Sequence, residues 1–293
     1  MNNVNKFYLG LILRLLLFAV LSAAASTPLQ LFNSIVIEKM QGPPDFVSVP
    51  FLIYAVCVKV VFGLGYVLFG HRLPVKNTVL RAFAYIMLIL FSSYLPNVLG
   101  MAGGDGEIIG SSFSAGIVIV DTLSYMLDGL ILGLLMKKYA VKKIDAARQV
   151  TSSKFFLFCA VNGALFAFLN LAFDFAAGAA GRSWRLCGIL KVTPEREAAF
   201  CIVFAIFMFI AGLIQPVWYR YCLPADASIS CAILFALKLA AVVWLPNVLI
   251  MVFFGTPVIK TFAYGAAYVV MIAICVLVYR KLIGYSRSEN NNH

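Results

Sequence analysis

The sequence predicts an all-α, polytopic integral membrane protein of about eight transmembrane helices. It further predicts two parallel four-helix repeats related by a pseudo-twofold axis along the membrane normal. Three observations predict this class. The 293 residues are 63% hydrophobic and only 12% charged, with a mean hydropathy of +0.97, whereas a soluble domain carries about a quarter charged residues. Apolar runs, each of roughly 20 residues and therefore able to cross a hydrocarbon core of about 30 Å, fill most of the chain. The pentapeptide Leu-Pro-Asn-Val-Leu occurs twice, at Leu95–Leu99 and Leu245–Leu249, each time after an aromatic residue.

The expected spans are Phe7–Ser26, Val47–Phe69, Ala82–Gly100, Ile109–Met136, Phe155–Gly181, Ala198–Tyr219, Ser228–Gly255 and Val258–Tyr279. The first resembles a secretory signal, with Lys6 before it and the small residues Ser22–Ser26 at its end, but Arg14 interrupts the apolar core and an uncleaved span is expected. The segment after it, Leu29–Met40, is apolar enough to lie in the interface or dip into the membrane as a short re-entrant piece. Its counterpart after the fifth span is Ser183–Val192. Gly129 and Gly133 form a G-x-x-x-G pair on the fourth span, a pattern that lets helices approach closely.

A shift of 150 positions aligns more than the pentapeptides: Leu73-Pro74 falls on Leu223-Pro224, and Ala55 and Ala82 fall on Ala205 and Ala232. Such self-similarity predicts a tandem duplication, with an N-terminal repeat over residues 1–143, a basic cytoplasmic connector over 144–153 and a C-terminal repeat over 154–293. Four crossings return the chain to its starting side, so both repeats would enter the membrane in the same sense. The copies have diverged. Arg72 and Arg81 align with Cys222 and Cys231, and Leu88 aligns with Lys238.

The net charge of +11 arises from 23 Lys and Arg against 12 Asp and Glu, and its distribution decides its meaning. With both termini inside, 14 of the cations fall on inner segments, six on outer loops and three within spans. The positive-inside bias therefore places both termini in the cytoplasm of a bacterial-type inner membrane. Topology and contact with the lipid bilayer account for the basic balance without a nucleic-acid partner. The seven cysteines show no C-x-x-C, and the only histidines are His71 and His293, so neither a metal nor a cofactor is expected. Cys187 and Cys201 flank one outer loop, but a disulfide between them is not favoured.

Two sets of residues are candidates for function. Pro96 and Pro246 lack an N–H and free the carbonyls of Ser92 and Val242, so they are expected hinges, with Asn97 and Asn247 beside them as substrate-binding amides or interhelix bridges. The second set is ionisable and lies within spans: Arg14, Lys59 and Lys238 as substrate-binding cations, and Asp121, Asp128 and Asp174 as proton-coupling acids. Each such charge costs roughly 2.5–3.5 kcal/mol at a helix centre, so it must face a partner or a wet cavity. Asp121 and Asp128 are seven apart and share a helix face with Ser124 and Tyr125. Buried salt bridges that merely fix helix positions are the competing account.

These features favour a transporter or lipid translocator that moves an anionic or zwitterionic small molecule or lipid through a cavity between the repeats, with proton coupling. A non-catalytic membrane subunit of a larger complex, bound to a partner membrane protein, is the alternative. An aspartate-dependent membrane enzyme ranks third, because no nucleophile elbow, H-E-x-x-H or Walker sequence occurs.

Overall fold

The computed structural model describes residues 3–32, 49–102, 115–137, 152–224 and 227–290, and among them every regular element is helical. In chain order these are α1 (Asn3–Phe32), α2 (Val49–Phe69), α3 (Thr78–Ile89), α4 (Leu95–Ala102), α5 (Ala115–Leu135), α6 (Ser152–Ala177), α7 (Leu186–Ile189), α8 (Glu197–Ile214), α9 (Pro216–Cys222), α10 (Ile229–Val243), α11 (Leu245–Leu249) and α12 (Val258–Asn290). Seven helical stretches are long and apolar enough to cross a membrane. An eighth is formed if α10 and the segment Leu245–Phe253, bent by 47° at their junction, count as one broken span. The protein is therefore an all-helical integral membrane protein.

Boundaries differ from expectation where local chemistry extends a helix. α1 continues past Ser26 to Phe32, through Pro28. Ser26 Oγ bonds back to the Ser22 carbonyl at 2.9 Å and Thr27 Oγ1 to that of Ala23 at 2.8 Å, giving partners to carbonyls near the proline. Leu29–Phe32 are thus helical, while the rest of the expected re-entrant piece lies outside the described residues, as does most of the basic connector.

The chain divides into two compact units, one of residues 1–90 and 113–145, the other of 91–112 and 146–293. The segment 91–112, which carries the first pentapeptide, groups with the second unit and not with the N-terminal sequence half.

In the first unit α5 packs on α3 and α1, and α1 on α2. Close approach of α3 and α5 requires the two glycines singled out in the sequence. A Cβ on Gly129 would stand 2.8 Å from the Phe83 Cα, and one on Gly133 2.7 Å from the Val79 Cα. Asn77 caps α3, its side-chain oxygen accepting from the amides of Val79 and Leu80. Tyr85 reaches across to donate to the Phe62 carbonyl at 3.0 Å.

In the second unit α6 packs on α8, α10 on α12, and α4 on α8. Pro216 separates α8 from α9 and leaves the Gly212 carbonyl without its helical donor. Asn162 of α6 supplies the replacement, its amide donating to that carbonyl at 2.7 Å. The amide reaches because the backbones meet at glycines: a Cβ on Gly212 would lie 2.8 Å from the Gly163 Cα.

Candidate functional site

The first unit gathers four of the six ionisable residues. Asp128 is fully buried on α5. Its two oxygens accept from Ser22 Oγ of α1 and from the Lys59 ammonium of α2, so three helices converge on one carboxylate. Lys59 also stands 5.4 Å from the ring centre of Tyr125 and 5.8 Å from that of Phe62, which places the cation among aromatic rings. One helical stretch away on the same face, Asp121 accepts from Gln30 Nε2 of α1 at 2.6 Å. The polar stripe of α5 therefore points at α1 and α2.

Arg14 is not level with that pair. Its guanidinium donates to the carbonyl of Leu135, the last residue of α5, two positions before Lys137. A count of residues from the first helix puts Arg14 near mid-membrane, but its partner puts it at the basic end of α5, about 10 Å of helix rise away from Asp128. There it serves an end carbonyl, where a cation is favoured by the helix dipole.

The second unit holds both Leu-Pro-Asn-Val-Leu copies, and each begins a short helix after a break. A single π-helical turn at Leu90–Tyr94 precedes Leu95-Pro96. Trp244, with φ −108° and ψ −43°, interrupts the helix before Leu245-Pro246. The two breaks touch. Ser93 Oγ donates to the Val243 carbonyl and accepts from Asn247 Nδ2, and all three groups are buried. Ser92 Oγ accepts from Trp218 Nε1 at 3.2 Å. Asn97 is buried too, and its amide oxygen has no hydrogen-bond partner among the described residues. Trp244 is clamped by Phe166 at 5.2 Å and by Tyr268, stacked at 4.5 Å between ring centres, so aromatic packing holds the bend in place.

Asp174 sits near the C-terminal end of α6 and anchors the loop that follows it. Its Oδ2 accepts from Arg185 Nε at 3.1 Å, and its Oδ1 accepts from the Leu186 amide at 2.6 Å and the Tyr264 hydroxyl at 3.1 Å. Glu197 accepts from Arg185 and, at 3.2 Å, from Arg182. Burial disfavours the charged guanidinium of Arg185, but its hydrogen bond to Asp174 and the charges of Asp174 and Glu197 outweigh that and raise its pKa. Burial pushes the neighbouring Cys187 thiol up to about 11. Cys187 and Cys201 are both free thiols.

Lys238 stands apart. It is exposed on α10 beside the exposed Leu234 and Leu237, and joins none of the clusters. Sequence reasoning missed Ser22, Gln30, Ser93, Arg185 and Tyr264, because each is a common residue type whose role depends on a partner more than ten positions away. Ser93 alone left a trace, standing 150 positions before Val243, the offset of the repeat. Comparison with protein-family models, with curated proteins and with solved structures gives no match.

Proposed function

We propose that this protein is a transporter or lipid translocator of a bacterial-type inner membrane, with both termini cytoplasmic, that moves an anionic or zwitterionic small molecule or lipid. The observation that carries the reading is the meeting of two broken helices through Ser93 and Asn247, next to the Asn97 amide oxygen, which has no partner among the described residues. Irregular backbone with polar side chains inside a membrane is tolerated where it is buried in protein or lines a path, and broken helices of this kind form substrate sites in transporters. Pro96 and Pro246 are the hinges, and Asn97 and Asn247 the substrate-facing amides.

The reading includes the tandem duplication. Its support is that Ser93 bonds to Val243, its own equivalent under the 150-residue shift. Equivalent residues related by a twofold axis touch only when they lie beside that axis. Proton coupling is assigned to Asp128, with Asp121 on the same face: a proton on Asp128 discharges its hold on Lys59 and releases the ammonium for an anionic group.

Reconstitution into proteoliposomes tests this. Flux should be measured against a panel of anions, zwitterions, phospholipids and lipid-linked phosphates. Asn97→Ala and Asn247→Ala are expected to lower flux at least tenfold while the protein remains folded by its melting profile. Flux that is absent for the whole panel, or untouched in both variants, defeats the proposal.

One observation favours the second reading, a membrane subunit of a larger complex. Lys238 presents a cation on an apolar exterior face, an arrangement that suits a carboxylate on a partner helix. Under that reading Lys238→Leu releases a co-purifying membrane protein; under the first it leaves flux intact.

A further inference from the structure

We propose that the loop between α2 and α3, together with the first turn of α3, binds a phosphate group that carries net negative charge, free or in an anionic lipid head group, with Arg81 as its buried anchor. Arg81 is only 3% exposed. Its Nε donates to the Val75 carbonyl at 2.6 Å and its Nη2 to the Lys76 carbonyl at 3.3 Å. The third nitrogen, Nη1, is buried and has no partner. Among the described residues no carboxylate forms an ion pair with Arg81. Two neutral carbonyls satisfy two donors, yet among the described residues nothing compensates the charge or the third nitrogen, and a buried guanidinium demands an acceptor that is also an anion.

The surroundings narrow the class of ligand. Residues 70–81 contain His71, Arg72, Lys76 and Arg81 and no acid. Tyr66, whose hydroxyl donates to the Thr78 carbonyl at 3.3 Å, supplies no negative charge either. The amides of Val79 and Leu80 at the start of α3 are taken by Asn77, so recognition falls to the side-chain cations. A guanidinium in a segment that also carries a second Arg and a Lys matches the charge and the acceptor geometry of a phosphate oxygen group. The segment lies at the ends of two spans, on the side that the charge distribution assigns to the cytoplasm, where phospholipid head groups and free phosphate are both in reach.

The second unit provides an internal control. The positions that align with Arg72 and Arg81 are Cys222 and Cys231, and its corresponding loop is held by Arg280, whose Nε donates to the Ala227 carbonyl at 2.6 Å. That loop lacks the counterparts of both arginines. One bound phosphate group per chain is therefore expected, not two.

The test uses the full chain purified in detergent. Native mass spectrometry follows retention of added phosphatidylglycerol against phosphatidylcholine, and a thermal unfolding titration with inorganic phosphate forms the second arm. Saturable binding of one phosphatidylglycerol, or of one inorganic phosphate, supports the site and names its source. Binding is expected to weaken at least tenfold in Arg81→Gln and in the Arg72→Gln/Lys76→Gln double variant. Should Arg81→Gln fail to fold, the double variant, whose side chains are not buried, decides alone. Binding of neither probe above the phosphatidylcholine level, or equal binding by wild type and the double variant, overturns the proposal.

Discussion

The two units solve the same problem, polar groups inside an apolar bundle, with different chemistry. In the first, a full ion pair lies between helices, the half-buried Lys59 against the buried Asp128, with Ser22 completing the shell. In the second, the groups that serve the helix breaks are neutral amides and hydroxyls, Asn162 on the Gly212 carbonyl and Asn247 on Ser93, while the ion pairs of Arg185 and Arg182 lie where the loop between α6 and α8 meets Asp174 and Glu197 at the ends of those helices. The difference follows from what each must satisfy. A proline break frees single backbone carbonyls, which one neutral donor can serve. A carboxylate on a helix face carries a whole charge, and only a cation offsets it.

That contrast yields graded expectations. Lys59→Met and Asp128→Leu, each alone, should cost about 3–5 kcal/mol because the survivor is left buried and charged, whereas the double variant should recover most of the loss. Chemical denaturation in detergent measures this, and single variants as stable as wild type would show that the pair is hydrated. A smaller effect is expected at the glycine contacts of the second unit. Gly212→Ala puts a methyl 2.8 Å from the Gly163 Cα and 2.9 Å from the Phe166 Cβ, and overpacking of this kind costs about 1–3 kcal/mol; the same denaturation assay detects it, and an unchanged midpoint would mean that α6 and α8 part readily.

Smaller again is the neutral bridge. A double-mutant cycle of Ser93→Ala with Asn247→Ala should return a coupling of about 1 kcal/mol, well below that of the ionic pair. A coupling near zero would dissolve the link between the two breaks. The smallest stability effect belongs to Arg182→Ala, since that side chain is exposed and such pairs contribute about 0–1 kcal/mol.

The loop can also be read through Cys187. With its thiol pushed up to about 11, only about 0.1% is thiolate at pH 8. Maleimide labelling of a variant retaining Cys187 as its sole cysteine should therefore be slow at pH 8 and accelerate as the pH rises toward 11. Fast labelling at pH 8 would indicate that the loop opens and the thiol is not buried.

Much of this was legible in the residues. The apolar runs announced the spans because a helix that crosses lipid must be apolar over about 20 residues whatever it packs against. Gly129 and Gly133 announced a close helix contact, since no other residue allows a backbone to come so near. The pentapeptides announced two breaks, since proline cannot donate at position i to i−4 wherever it stands. The candidate charges were visible as well, but their levels and partners were not: Arg14 is placed by Leu135 and not by its distance from the first residue, and Asp174 is anchored by a loop arginine that looked like an ordinary surface charge.

The sequence by itself determined that this protein is helical, that it resides in a membrane and where its helices bend, because each of these follows from short-range properties of the chain: hydropathy over one span and the missing N–H of a proline. Tertiary structure alone decided that Asp128 faces Lys59, that Ser93 meets Asn247, that Lys238 points outward and that Arg81 is buried with no counter-charge among the described residues. Pairing depends on the rotation and depth of helices relative to one another, and these are set by the packing of whole faces, which no local stretch of residues encodes.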